Sequence, residues 1–146
     1  MSRQPTRVYV AGASAQLQRA RRAMGWVREA PELTLAHDWT AQVQADREAG
    51  KQDADLLQVQ QRARAFEDFA AIRESDIFWA LVPQPDVRTT GLWVELGWAL
   101  RARDGNQPIR AVCSGDSCRK RLFVAASDAM FSTDSSAFSH IRMAAR

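Results

Sequence analysis

The order of apolar and polar stretches predicts an α/β domain of the doubly wound class, flavodoxin-like or Rossmann-like, with about five parallel strands flanked by helices. Three observations carry this expectation. Short apolar or β-branched runs at 7–12, 33–36, 77–82, 109–113 and 129–132 alternate with longer segments of helical periodicity. Ile77-Phe-Trp-Ala-Leu-Val82 is apolar without interruption, as a central strand covered on both faces requires. The chain has 146 residues, 46% hydrophobic and 25% charged, which predicts a single domain over 1–146 with a real core.

Arg7-Val-Tyr-Val-Ala-Gly12 reads as the first strand and runs into a tight turn at Gly12, followed by Ser14. In the helix that comes next, Leu17, Ala20, Met24 and Val27 recur at three- and four-residue steps. That periodicity leaves Arg19, Arg21, Arg22 and Arg28 mostly on the opposite, solvated face. Ala30-Pro31 stops this helix, and Leu33 to Ala36 forms a second strand ending in the polar cluster His37-Asp38-Trp39-Thr40. Ala41 to Asp55 has no persistent apolar face, so it reads as a mobile excursion or frayed helix over one rim, either a lid or a plain surface loop.

A second long helix is expected from about Ala54 to Ser75, because Val59, Ala63, Phe66, Phe69, Ala70 and Ile72 make an apolar stripe free of Gly and Pro. Pro83 closes the central strand. The loop Gln84 to Thr90 then leads into Gly91-Leu-Trp-Val-Glu-Leu-Gly-Trp-Ala-Leu100, a helix ending near Asp104-Gly105-Asn106. Ile109 to Cys113 is another buried strand, Ala129 to Ser132 a last short one, and Asp134 or Ser135 the cap of a C-terminal helix.

The formal charge is +3 and the pI about 9.4, but basic residues run from Arg3 to Arg146 with acids among them. Dispersed charge of this kind serves solubility and argues against a nucleic acid polymer as partner. The excess of arginine over lysine suits small anionic ligands. No apolar run approaches the ~18 residues of a membrane span, and Met1 to Thr6 is polar, so a cytoplasmic protein without membrane attachment is expected. Cys113 and Cys118 lack the partners of a zinc site and read as reduced, incidental thiols; no metal and no cofactor is expected. The Gly12 turn has neither the spacing of a dinucleotide-binding turn nor the Gly-Lys of a phosphate loop, which argues against nicotinamide dehydrogenases and ATPases.

Open sheets of this class bind ligands beyond the carboxyl ends of their strands, here just after Val10, Leu35, Val82 and Val112. Gly12 lets a ligand approach the backbone, or simply makes the turn. Glu95 is the only charged residue between Thr89 and Leu100. It either reaches solvent or pairs with Arg88 or Arg101, or it is a nucleophile or base near a helix start at the mouth of the crevice. Asp68, flanked on its helix by Ala65, Ala71 and Ile72, is the candidate acid partner, with a plain surface Asp beside Glu67 as the alternative.

Three segments resemble the nucleoside 2-deoxyribosyltransferase-like proteins, which include the deoxynucleoside 5'-monophosphate N-glycosidases. Val8-Tyr-Val-Ala-Gly-Ala-Ser14 is similar to the family's first strand and glycine turn. Phe66-Glu-Asp-Phe-Ala-Ala-Ile-Arg-Glu-Ser-Asp76-Ile-Phe resembles its Asp-x-x-x-Ile-x-x-x-Asp block, and Gly91-Leu-Trp-Val-Glu95-Leu-Gly-Trp-Ala99 its Gly-x-x-x-Glu-x-Gly-x-Ala motif. His37-Asp38-Trp39-Thr40 also looks like a segment after the second strand of some members.

The resemblance implies cleavage or transfer at the N-glycosidic bond of a (deoxy)nucleoside or nucleotide, with Glu95 as nucleophile, Asp68 as the acid beside the base and Asp76 as a structural residue. Tyr9, Trp39 and Trp93 are candidates to stack on a nucleobase, whereas Trp26, Trp79 and Trp98 are assigned to the core. Many transferases of the family carry an Asp where this chain has Thr89. In monophosphate glycosidases a hydroxyl residue near that position contacts phosphate, so Thr89, Thr90, Ser14 and Arg88 are the candidate 5'-phosphate contacts and Gly91 a further substrate-binding residue, although the absence of a lysine and of a second glycine-rich turn favours the unphosphorylated nucleoside. The polar, basic segment Ser114 to Arg121 falls where some relatives lend residues to a neighbouring subunit, which implies a homo-oligomer, dimer or higher. The competing readings are a non-catalytic nucleotide sensor and glycohydrolase action on a dinucleotide such as NAD.

Overall fold

The computed structural model describes residues 4–105 and 108–145; Met1 to Arg3, Asn106 and Arg146, named above, lie outside them. Five strands, β1 (Thr6–Ala11), β2 (Leu33–Leu35), β3 (Ile77–Leu81), β4 (Arg110–Ser114) and β5 (Ala129–Phe131), form one parallel sheet in the order β2-β1-β3-β4-β5. The chain order reverses between β1 and β3, whose register pairs Val8 with Ile77 and Val10 with Trp79. Such a switch point opens a crevice at the strands' carboxyl ends, because the connections leave the sheet in opposite directions there.

Five helices, α1 (Leu17–Glu29), α2 (Trp39–Glu48), α3 (Gln58–Arg73), α4 (Gly91–Asp104) and α5 (Asp134–Ala145), surround the sheet. Alternation along β1 sends Val8 and Val10 into a core with α1 and α5, and Tyr9 and Ala11 into a second core with α3 and α4. β3 is buried at every position, which is why it could be read as the middle strand from its uninterrupted apolar run. The doubly wound α/β architecture is therefore as the sequence predicts.

Several local expectations are corrected. Arg19 is not on a solvated face: its guanidinium pairs with Asp134 at 2.7 Å and donates to the Val82 and Ser114 carbonyls at 2.9 and 3.2 Å. It ties the ends of β3 and β4 to the start of α5, so its charge has fixed acceptors and tolerates burial. Asp134 is consequently engaged by Arg19 and by the Ser114 hydroxyl, and the side chain that caps α5 is Thr133, which accepts from the Ser136 amide at 3.2 Å. Much of 41–55 is regular, because Asp38 caps α2 through the Thr40 and Ala41 amides and Gly50 takes the left-handed turn (φ 67°) that ends it. α3 begins at Gln58 rather than Ala54, and of its sixteen residues only Ile72 is buried. Val59 and Phe66, members of its apolar stripe, stand exposed, as does Trp98 on α4. Trp79 is fully buried and Trp26 packs against Phe138, as core assignments require.

Candidate active site

A cleft of about 660 Å³ opens at the β1/β3 switch point. Its floor is Gly12, one wall is α2 with Trp39, and the opposite wall is α3 and the first turns of α4. A Cβ at Gly12 would lie 3.7 Å from the Trp39 ring, at ordinary contact distance, and Trp39 is fixed by its indole N–H, which donates to the Val10 carbonyl at 2.8 Å. Lining the cleft are Gly12, Ser14, Trp39, Asp68, Arg88, Thr89, Thr90, Gly91 and Glu95; Tyr9 does not line it and is fully buried behind Glu95, to which its hydroxyl donates. Trp93 lies apart, in a neighbouring groove beneath the Arg121 guanidinium.

Glu95 sits in the second turn of α4, where the helix runs over the sheet, so its carboxylate is buried. Neither Arg88 nor Arg101 pairs with it; its partner is Tyr9, whose hydroxyl donates to Glu95 Oε1 at 2.9 Å. Burial, with the nearby Asp68 charge adding to it, pushes the Glu95 carboxyl up to about 8, against the opposing pull of the Tyr9 hydrogen bond. The Tyr9 ring is fully buried and stacked on Phe78 at 5.8 Å, so it is closed to a nucleobase and its hydroxyl is the part that faces the site. Burial and the two carboxylates together raise the Tyr9 phenol far above its ordinary value, keeping it a donor.

Asp68 projects from α3 toward the same hydroxyl. Burial raises its carboxyl above the ordinary range, opposed by His37 and the Tyr9 hydrogen bond and reinforced by Glu67. His37, at the end of β2, places Nε2 3.4 Å from Asp68 Oδ1 and Nδ1 3.9 Å from Glu67. His37, Asp68, Tyr9 and Glu95 thus form one continuous polar row crossing from β2 through α3 and β1 to α4. Two neighbouring carboxyls largely withdrawn from solvent cannot both ionise cheaply, so the pair holds a proton in common at neutral pH.

The α4 end of the cleft is electropositive. Thr90 makes no side-chain cap to α4, so the first amides of the helix are not closed off by that hydroxyl. Arg88 lines the cleft and forms no ion pair among the described residues. Asp76, the residue expected to be structural, accepts from the Arg7 amide at 2.8 Å, at the opposite end of the strands.

Sequence reasoning named His37 only within the polar cluster after the second strand, without assigning it to the site, and missed the rim formed by Gln42, Asp46 and Arg64. Arg64 pairs with Asp46 through both terminal nitrogens, one contact at 3.1 Å, which holds the Asp46 carboxyl below its usual range. A guanidinium offers only donors, so the Gln42 amide turns its oxygen to Arg64 Nε at 3.0 Å. Arg64 stands one helical turn before Asp68, and that four-residue spacing was the signal available for it. For His37 the local signal was its place in the polar cluster that ends the second strand, although its partner Asp68 is far away in the chain.

No family model matches the chain, and no curated protein matches it. Among solved structures it is similar to the Clostridium botulinum CMP N-glycosidase BcmB, with a TM-score of 0.51 over 94% of this chain and 99% of that one, at 17% identity. The likeness is one of fold, shared by the five-stranded parallel sheet and its flanking helices.

Proposed function

We propose that this chain is an enzyme that breaks the N-glycosidic bond of a nucleoside or its 5'-monophosphate. The observation that carries the reading is the half-buried pair Glu95 and Asp68, bridged by the Tyr9 hydroxyl in a cleft at the sheet's switch point. A neighbour in fold that acts on a nucleotide N-glycosidic bond supports it, and so does the resemblance of the Glu95 and Asp68 segments described above.

The mechanism follows from how charge moves. Breaking the bond from C1' to the base nitrogen builds positive charge on the sugar and sends an electron pair to the base. With the pair's one proton on Asp68, the Glu95 carboxylate, aligned by Tyr9, attacks C1' and forms a glycosyl ester while Asp68 donates that proton to the departing base. Water then attacks C1', gives its proton to Asp68 and releases Glu95 as carboxylate; a second base in place of water gives transfer. The cycle closes with Asp68 reprotonated, and His37, 3.4 Å from Asp68, helps to hold that carboxyl in place.

The monophosphate is favoured among substrates by the α4 terminus, where the Thr90 hydroxyl is uncommitted to capping and Arg88 has no ion-pair partner among the described residues. The test is incubation with deoxynucleosides, their 5'-monophosphates and NAD, with and without an acceptor base, followed by chromatography for free base. Release without acceptor is expected for a hydrolase and exchange only with acceptor for a transferase. Tight binding with no product from any substrate would reject the enzyme in favour of a sensor.

A further inference from the structure

The groove beside the cleft, about 510 Å³, is continuous with it, because Arg88, Thr89 and Thr90 line both. The two differ in charge. The cleft holds Glu95, Asp68 and Asp46, whereas among the described residues no carboxylate lines the groove, which instead has Arg88 and Arg121. Neither arginine forms an ion pair among the described residues. Arg121 is not a solvated surface cation: its guanidinium lies over the Trp93 ring, 5.3 Å from the ring centre, and its Nε is buried without an acceptor among the described residues. Stacking on an indole fixes the plane of a guanidinium and engages none of its N–H donors. Two cations on one groove with no anion between them repel each other, and both keep donors for an anion from outside the chain.

We propose that this groove takes the second phosphoryl group of a diphosphate joined to the 5' carbon, so that the substrate class extends to nucleoside 5'-diphosphates and diphosphate-linked dinucleotides. The direction of the ligand rests on the N-glycosidic reading. With C1' at Glu95 and the first phosphoryl at Thr89 and Thr90, a group joined to that phosphoryl leaves the cleft past Arg88 and enters the groove. Arg88 lines both cavities and stands at their junction, within reach of either phosphoryl; Arg121, which lines the groove alone, is the partner of the second. A guanidinium fork matches phosphoryl oxygens in pairs, so two forks suit a diphosphate, whereas a monophosphate leaves Arg121 without an anion. Trp93 acts as the platform that holds Arg121 in place rather than as a surface for the base.

The first test reads the groove without a nucleoside, so its failure is distinct from failure of the N-glycosidic reading. Inorganic pyrophosphate and inorganic phosphate are titrated calorimetrically into the whole chain. The wild type should bind pyrophosphate at least ~10-fold more tightly than phosphate, and Arg121→Gln should bring the two within about threefold. Lys120→Gln removes the same charge from an exposed neighbour and should leave the ratio unchanged. Should Arg121→Gln fail to fold, hydrogen exchange of the wild type answers the question, with pyrophosphate but not phosphate protecting peptides that span 84–94 and 115–124. Equal binding of the two anions by the wild type, a folded Arg121→Gln that keeps the wild-type ratio, an equal fall in Lys120→Gln, or protection confined to other segments overturns the proposal. The source of the diphosphate is then read by titrating the 5'-mono- and diphosphates of the common deoxynucleosides, and NAD. Tighter binding of the diphosphates assigns nucleoside diphosphates, and tighter binding of NAD a diphosphate-linked dinucleotide. No gain over the monophosphates for either overturns the proposal, while base release from a monophosphate would still stand.

Discussion

α1 and α3 have the same kind of sequence, an apolar stripe at helical spacing between polar flanks, and opposite fates. α1 buries Leu17, Ala20, Ala23, Met24 and Val27 against the sheet and is tied down by Arg19. α3 buries Ile72 alone and turns other positions, Arg64 and Asp68 among them, toward a cleft. The difference teaches that periodicity identifies a helix without saying what covers it. Both faces of this sheet are packed, and the α3/α4 face also carries polar groups that cost stability.

That contrast can be broken in measurable ways. The largest effect on folding belongs to α1: Met24→Ala should cost about 2–5 kcal/mol, by lost burial and an unfilled cavity, while Arg73→Ala on exposed α3 surface stays within about 0.5 kcal/mol. Urea unfolding of the two variants checks it, and equal losses would erase the distinction.

The site side should reveal itself through pH. The folded Glu95 carboxyl lies at about 8, above its ordinary 4.5, so the folded state holds a proton that the unfolded state has released. Stability from this source is complete below about pH 4.5 and is lost as pH rises through about 8, a change on the order of a few kcal/mol. Glu95→Gln should therefore flatten the fall between pH 5 and pH 9 and leave the variant more stable than the wild type at pH 9. An unchanged slope would mean that Glu95 is not the buried acid.

Asp68→Asn removes the proposed proton donor and should lower kcat by roughly 10²-fold, most for bases that leave poorly. Equal losses for all bases would make Asp68 a positioning residue. The smallest effect expected is at the α4 terminus. Thr89→Val with Thr90→Val should reduce any preference for a monophosphate over its nucleoside by about 1.5 kcal/mol, read by calorimetric titration. Thermal stability should hardly move, because the Thr90 hydroxyl caps nothing.

Much of the architecture was legible because it rests on local signals. The apolar run of β3, the Gly12 turn and the lone carboxylate Glu95 each stand out from their neighbours, and each occupies the position those signals predict. What could not be read depends on contacts between distant segments. Arg19 is indistinguishable in sequence from its solvated neighbours until the ends of β3 and β4 supply carbonyls to it. His37 becomes part of the site only when β2 brings it to α3, and Tyr9 offers its hydroxyl rather than its ring because Phe78 already covers the ring. The exposed stripe of α3 was legible as apolar but not as uncovered, since cover is a property of the assembled layers.

The central claim is that the Glu95 carboxylate performs the chemistry in the cleft. Release of free base from a deoxynucleoside 5'-monophosphate and its nucleoside, followed by chromatography for wild type and Glu95→Gln at equal concentration, tests it most directly. The expected result is release by the wild type and a loss of at least ~10³-fold in the variant, with its fold intact by circular dichroism. A folded variant that keeps more than about a tenth of the wild-type rate would contradict the assignment, because removing a nucleophile costs several powers of ten.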